Sequence, residues 1–384
     1  MTRQPDRRAP TASKRLTAIL LVLAVLALAG LGSAGAQAVR STSAGSAVPI
    51  SSLTQEDLAA AVLRPSDARS LFPEGAKWWP SLPEFNSASL DPAPGKRFWV
   101  AQNYQLVDGG RLEGPNVQAP LTLYVSPAAA ARDFAGSWKT RDASGKRISG
   151  PAVGDESRYF TRPADGKLTE TTLRFRVGSV VGRISALDTH PWPTSDLALD
   201  AAPVLARIQA LLEGRLRGAT LPNRLALLLP PPSFSDLPGV ASAVVPAEAW
   251  AVVDTSGKVE AVRDFLRSNG AGSLALRRYD LLAPAGQVIE TTLFPFDTPR
   301  AAETWQRGFA RQAQTAGLLD PGNTGLLSAF SSFKGGIYEL QFAQGRYVAD
   351  ISCFAPFSKK ASPACESRVR TLSNIWRMIL LAQS

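Results

Sequence analysis

Leu173-Arg174-Phe175-Arg176-Val177-Gly178-Ser179-Val180-Val181-Gly182-Arg183-Ile184-Ser185 returns without a gap, 167 residues later, as Leu340-Gln341-Phe342-Ala343-Gln344-Gly345-Arg346-Tyr347-Val348-Ala349-Asp350-Ile351-Ser352. The two phrases share Leu173/Leu340, Phe175/Phe342, Gly178/Gly345, Val181/Val348, Ile184/Ile351 and Ser185/Ser352. Two related modules in tandem are therefore predicted.

Each phrase reads as a β-hairpin with apolar residues at every second position. Turning the second copy at Gln344-Gly345 pairs Phe342 with Tyr347, Leu340 with Ala349 and Tyr338 with Ile351 on one face. Glu339, Gln341, Arg346 and Asp350 fall on the other, the alternation expected of a sheet with one solvated side. The first copy pairs Phe175 with Val180, Leu173 with Gly182 and Thr171 with Ile184, and turns Arg174, Arg176 and Arg183 outward. Gly178 and Gly345 occupy the turns, where positive φ is wanted.

Carried on past the hairpins, the offset of 167 places Leu205 on Leu372, Ile208 on Ile375 and Leu212 on Ile379. Residues 201–213 and 366–381 are thus amphipathic helices over the apolar side of each hairpin, with Gly214 ending the first. Upstream, residues 121–125 and 291–296 read as strands entering helices through Ser126-Pro127 and Thr298-Pro299 at a spacing of 172. The hydroxyls are N-cap candidates, and proline at the first helical position forfeits an N–H that had no partner. Asn103-Tyr104-Gln105-Leu106 and Arg278-Tyr279-Asp280-Leu281 correspond at about 175. Helices are also expected at 54–63, behind a Thr-x-x-Asp cap, and at 258–267.

The expected class is α+β, with two tandem modules, each a mostly antiparallel sheet packed with amphipathic helices. Module 1 spans 53–214 and module 2 spans 240–384. Residues 215–239, with Pro222, Pro230, Pro231, Pro232 and Pro238, form a proline-rich connector whose Leu225 to Leu229 run packs on a module as an extra strand. Residues 39–52 read as a flexible spacer.

In residues 1–38, Arg3, Arg7, Arg8, Lys14 and Arg15 precede an apolar run from Leu16 to Leu31 and two small-x-small sites, Ala34-Gly35-Ala36 and Ala36-Gln37-Ala38. This is the layout of a secretory signal, with an uncleaved membrane anchor as the alternative. No cysteine stands directly after the apolar run, which excludes a lipobox. The chain is expected to be extracytoplasmic. Of its +10 formal charge, this region carries a net four, so a processed chain is about +6. That excess suits weak attraction to an anionic envelope polymer or a membrane surface, and no Lys/Arg cluster interleaved with aromatics points to nucleic acid.

Cys353 and Cys365 are the two cysteines and could close a disulfide; free buried thiols are the alternative. No C-x-x-C, Cys/His array, Walker loop, G-x-G-x-x-G or H-E-x-x-H is present, so neither a metal nor a cofactor is expected. His190, the one histidine, has no G-x-S-x-G elbow to complete a triad, and reads as a loop residue beside Pro191. Ser331-Ser332-Phe333-Lys334 fits S-x-x-K but lacks the companion S-D-N.

Two surface features carry binding expectations. Arg174, Arg176 and Arg183 line one sheet face and could hold an anion; a solvated or helix-covered face is the alternative. Trp78 and Trp79, with Phe98-Trp99, could form an aromatic shelf, against ordinary core packing. The function these features suggest is a non-enzymatic envelope protein binding a ligand or partner in the inter-module groove or on the basic face of module 1. A membrane-anchored assembly subunit of an envelope complex, docked on another envelope protein, is the alternative. A hydrolase without a linear motif is the third.

Overall fold

Strands that bury every second side chain need a partner layer for that face. Here they assemble into two antiparallel sheets, each with helices on both sides. The computed structural model describes residues 48–383 except 69, 73–76, 88–92, 109–110, 137–144, 165–166, 220, 232, 235–236, 253–257, 281–286, 316–327, 334–336 and 355–362. The signal-like segment and most of the spacer lie outside the described residues, as does Lys334.

The first sheet contains β1 (Lys77–Pro80), β2 (Glu84–Ser87), β3 (Lys96–Asp108), β4 (Arg111–Tyr124), β5 (Lys146–Ile148), β6 (Glu156–Pro163), β7 (Thr169–Val177) and β8 (Val180–Asp188). Its order is β1-β3-β4-β8-β7-β6-β5, with β2 also on β3. The second contains β9 (Ser233–Phe234), β10 (Leu237–Pro246), β11 (Ser273–Asp280), β12 (Val288–Pro295), β13 (Ser328–Phe333), β14 (Ile337–Gln344) and β15 (Tyr347–Phe354), in the order β9-β10-β11-β12-β15-β14-β13. The class is α+β.

The register repeats between sheets at the spacings read from sequence. Val100 faces Leu121 and Ala275 faces Leu293; Leu121 faces Gly182 and Leu293 faces Ala349. Offsets of 175, 172 and 167 are thus each matched by strand pairing. Within the hairpins the pairing differs from the sequence expectation by two residues: Phe175 faces Gly182, Leu173 faces Ile184, Phe342 faces Ala349 and Leu340 faces Ile351. The loops are Gly178-Ser179 and Gly345-Arg346, one position later than expected, with glycine φ of 53° and 57°. A shift of two leaves every side chain on its predicted face, because strand periodicity is two.

The helices are α1 (Gln55–Ala59), α2 (Pro127–Gly136), α3 (Thr194–Leu212), α4 (Asn223–Ala226), α5 (Ala247–Ala251), α6 (Val259–Ser268), α7 (Pro299–Thr315) and α8 (Pro363–Leu381). Thr54 and Asp57 close a reciprocal capping box on α1, a helix shorter than the 54–63 expected. Ser126 accepts from the Ala129 amide and Thr298 from the Ala301 amide, each at 3.2 Å, so both hydroxyl-proline caps form.

α3 buries Leu197, Ala201, Val204, Ile208 and Leu211 in the first core, and α8 buries Cys365, Val369, Leu372, Trp376 and Leu380 in the second. The first four members of these stripes align at 168, not 167. One residue is therefore gained between hairpin and helix, which a gap-free reading across the loop could not detect.

Residues 225–229 do not add a strand. Leu225 lies in α4, and Leu225, Leu228 and Leu229 enter the second core, where Trp376 Nε1 donates to the Leu228 carbonyl at 2.6 Å. The connector therefore packs on the second sheet. Consistently, Tyr279 Oη donates to the Pro230 carbonyl at 3.0 Å, as Tyr104 does to that of Leu63 at 2.6 Å.

The faces away from α3 and α8 are not simply solvated, contrary to the sequence expectation. Gln341 and Asp350 are 1% and 2% exposed. α2 covers part of the first sheet through Phe134, Ala129 and Ala130 against Tyr124 and Val181. α7 covers the turn end of the second, where Trp305, Ala301 and Ala302 meet Phe294, Phe296, Ala343 and Val348. Leu82 and Ala243 pack against both the first core and the cluster under α7, and Ala241 and Leu276 of the second sheet belong to the first core. Alternation tells which residues turn away from one layer; it does not tell what lies over them.

Candidate functional site at the junction of the two sheets

Where the sheets approach one another, the strands carry polar residues at corresponding positions. Asn103, Gln118 and Arg183 of the first sheet match Arg278, Glu290 and Asp350 of the second at the three offsets. Asn103, Gln118, Arg278 and Asp350 are buried, while Arg183, Glu290, Glu339 and Glu84 are half-buried and reach solvent. The two copies thus differ in charge where they meet.

The contact is organised by β2. Phe85 anchors it in the first core, so Glu84 and Asn86 project together on its other face. Asn86 Oδ1 accepts from Arg278 Nη2 at 2.5 Å, and Glu84 Oε1 accepts from Asn103 Nδ2 at 2.9 Å. Arg278 also lies over the Phe354 ring at 5.4 Å and near Asp280, whose Oδ1 is 3.8 Å from Nε. Arg183 donates to Gln118 Oε1 at 3.0 Å. On the second sheet, Asp350 accepts from Gln341 Nε2 at 3.1 Å and from Ser352 Oγ at 3.3 Å, and Glu339 also hydrogen-bonds to it.

Burial dominates the ionisation of this group. It pushes Glu290 up to about 7, with Glu84 and Asp350 adding to the rise and Arg278 opposing it. Burial likewise lifts Asp350 to about 6 against hydrogen bonds from Glu339, Gln341 and Ser352. Glu84 is raised by burial against the pull of Arg278, its bond from Asn103 and Arg183. Arg278 is lowered by burial, opposed by Glu290, Asp280 and Glu84. Glu290 and Asp350 are therefore both moved toward neutrality, and Glu84 is moved in the same direction.

Among the described residues, the buried polar atoms here without a hydrogen-bond partner include Gln341 Oε1, Asn103 Oδ1 and Arg278 Nε. Both amides spend their N–H groups on a carboxylate and leave their carbonyls over. An arrangement of that kind can accept hydrogen bonds from a guest. Among the described residues, no three His, Cys, Asp or Glu side chains converge to hold a metal ion.

The residues singled out in the sequence lie elsewhere, apart from Arg183. Arg174 and Arg183 stand directly across from one another on β7 and β8. Arg174 pairs with Asp133 of α2 at 2.7 Å and lies over Phe134. Arg176 pairs with Asp155 at 2.9 Å and Glu156 at 2.7 Å. The row of three guanidinium groups exists, and each has a protein partner. Trp78 and Trp79 point to opposite sides of β1. Trp78 meets Phe72 edge-on at 5.2 Å, and Trp79, 5% exposed, packs with Val107, Ala251, Val252 and Val259 under Arg263. Cys353 and Cys365 are bonded, tying the end of β15 to α8. His190 is exposed in the loop before α3, beside Thr189.

Sequence reading missed Glu84, Asn86, Arg278 and Glu290. No motif marks them; for Arg278 and Glu290 the available signal was that each is charged where the corresponding Asn103 or Gln118 is not.

No family model matches the chain, and no curated protein matches it. Among solved structures, the extracellular domain of PknH from Mycobacterium tuberculosis is similar at 12% identity, over 41% of this chain and 97% of that one, with a TM-score of 0.33.

Proposed function

We propose that the chain is an exported, non-enzymatic envelope protein that binds its ligand or partner at the junction of its two sheets. One observation carries this reading: a partly exposed cluster of ionisable groups, drawn from both sheets, contains buried polar atoms with no hydrogen-bond partner inside the protein. Retaining such atoms costs about 1–3 kcal/mol each, a cost that a ligand's hydrogen bonds relieve. Export is supported by the signal-like residues 1–38 and by the Cys353–Cys365 disulfide, since such bonds persist in oxidising compartments. Domain boundaries are also common ligand sites. The arginine row of the first sheet is the weaker candidate, because Arg174 and Arg176 are already held in ion pairs.

The test is native mass spectrometry of the protein purified from the cell envelope, alongside Glu290→Gln and Arg278→Met. A co-purifying mass that both variants lose supports the reading. A stoichiometric protein partner retained by both variants favours the assembly role instead, and hydrolytic turnover abolished by either would replace binding with catalysis.

A further inference from the structure

Resting on the reading of the junction as a binding site, we propose that its ligand is an organic cation, presenting primary ammonium or guanidinium hydrogens to Gln341, Asn103 and the surrounding carboxylates. The chemistry of the unfilled positions decides the class. Gln341 Oε1 and Asn103 Oδ1 are acceptors without a hydrogen-bond partner, and their residues are 1% and 8% exposed. Neither can turn to satisfy itself, because the N–H groups of the same amides hold Asp350 and Glu84. Reversing either amide would set a carbonyl against a carboxyl group and strand the NH2 instead.

The charge around these acceptors has the matching sign. Glu84, Glu290, Glu339, Asp280 and Asp350 face Arg278 and Arg183, so carboxyl groups outnumber guanidinium groups five to two across β2, β8, β11, β12, β14 and β15. An anion would meet that excess. A bare metal ion lacks the clustered ligand set, since no three acidic side chains converge among the described residues. A cation with several spread N–H donors can reach acceptors that stand apart, and Glu84, Glu290 and Glu339 are half-buried at the edge of the cluster.

Protonation then couples to binding. With Glu290 at about 7 and Asp350 at about 6 in the free protein, an arriving cation favours their ionised forms and releases protons. Affinity therefore rises as pH increases through that window.

The experiment is calorimetry on the full processed chain with spermidine, cadaverine and L-argininamide as cations, citrate and phosphate as anions, and calcium, at about pH 5 and about pH 8. At least one organic cation binds more tightly at the higher pH with proton release. Glu290→Gln and Asp350→Asn each weaken it by about tenfold or more, while Glu303→Gln, on the exposed side of α7, leaves it unchanged. Circular dichroism confirms that the near-isosteric variants fold. Binding of citrate or phosphate that Arg278→Met abolishes overturns the cation and keeps the junction as a site. Calcium binding in place of the organic cations also overturns the class. Organic cations that bind equally well to Glu290→Gln and Asp350→Asn overturn both the class and the site, and absence of binding by all three cations overturns the proposal.

Discussion

Arg278 and Asn86, 192 positions apart in the chain, share a 2.5 Å hydrogen bond that joins β11 of one sheet to β2 of the other. Arg278 is 2% exposed, so its charge is stabilised almost wholly by Asn86, the Phe354 ring and nearby carboxyl groups.

Removing one member of a buried charged set leaves the others uncompensated. Arg278→Met should therefore cost about 3–5 kcal/mol of unfolding free energy in urea titration. A double-mutant cycle with Asn86→Leu should return a coupling of about 1–3 kcal/mol; a value near zero would detach this bond from stability.

Glu290, Asp350 and Glu84 are carboxyl groups raised by burial, so the folded state binds more protons than the unfolded state between their ordinary and raised values. Stability from these groups is full below about pH 4 and is lost as pH rises through about 6 to 7. Glu290→Gln and Asp350→Asn should flatten that decline, each gaining about 1–2 kcal/mol over the parent at pH 8 after allowance for solvent screening. Urea midpoints measured across pH give the answer. Asp57 acts in the opposite sense: burial would raise it, but amide bonds from Gly218 and Thr54 and the charge of Arg217 hold it low, so its contribution vanishes only in acid.

The Cys353–Cys365 bond closes a short loop, at a sequence separation of 12. Cys365→Ser should cost about 3 kcal/mol by the loop-entropy account. Hydrogen exchange should quicken in α8 and β15 first, with α3 and β8 unaffected.

Gly182 and Ala349 occupy corresponding places, opposite Phe175 and Phe342. A Cβ at Gly182 would collide with the Phe175 ring and approach Leu121 Cδ2 at 2.8 Å. Gly182→Ala should thus destabilise by about 1–3 kcal/mol through overpacking. Ala349→Gly should cost about 1 kcal/mol, through backbone entropy, in the same thermal melts.

The fold was legible where a local rule governs it. Hairpin faces followed from alternation, helix starts from Ser126 and Thr298, and the correspondence of modules from Leu173, Phe175 and Ile184. What escaped depends on through-space layering. Asp350 and Gln341 look like surface residues because their neighbours Leu340 and Ile351 point inward, and nothing local announces that their own face is also covered. The Leu225 to Leu229 run was apolar enough to demand burial but too short to distinguish strand from helix. Of the candidate site, Arg183 and Asp350 were visible as outward positions, whereas Glu84 on a four-residue strand carried no pattern at all.

In both sheets the last strand to be synthesised, β8 or β15, is threaded into the middle, between β4 and β7 or between β12 and β14. Until that strand emerges, β4 and β12 each present an open rim of amides and carbonyls to any passing chain. Neither half can complete its ladder co-translationally from the front, so folding waits on the tail of each module and its long-range closure sets the pace. A truncation ending before Val180 or before Tyr347 should accordingly leave a sticky fragment rather than a smaller stable domain.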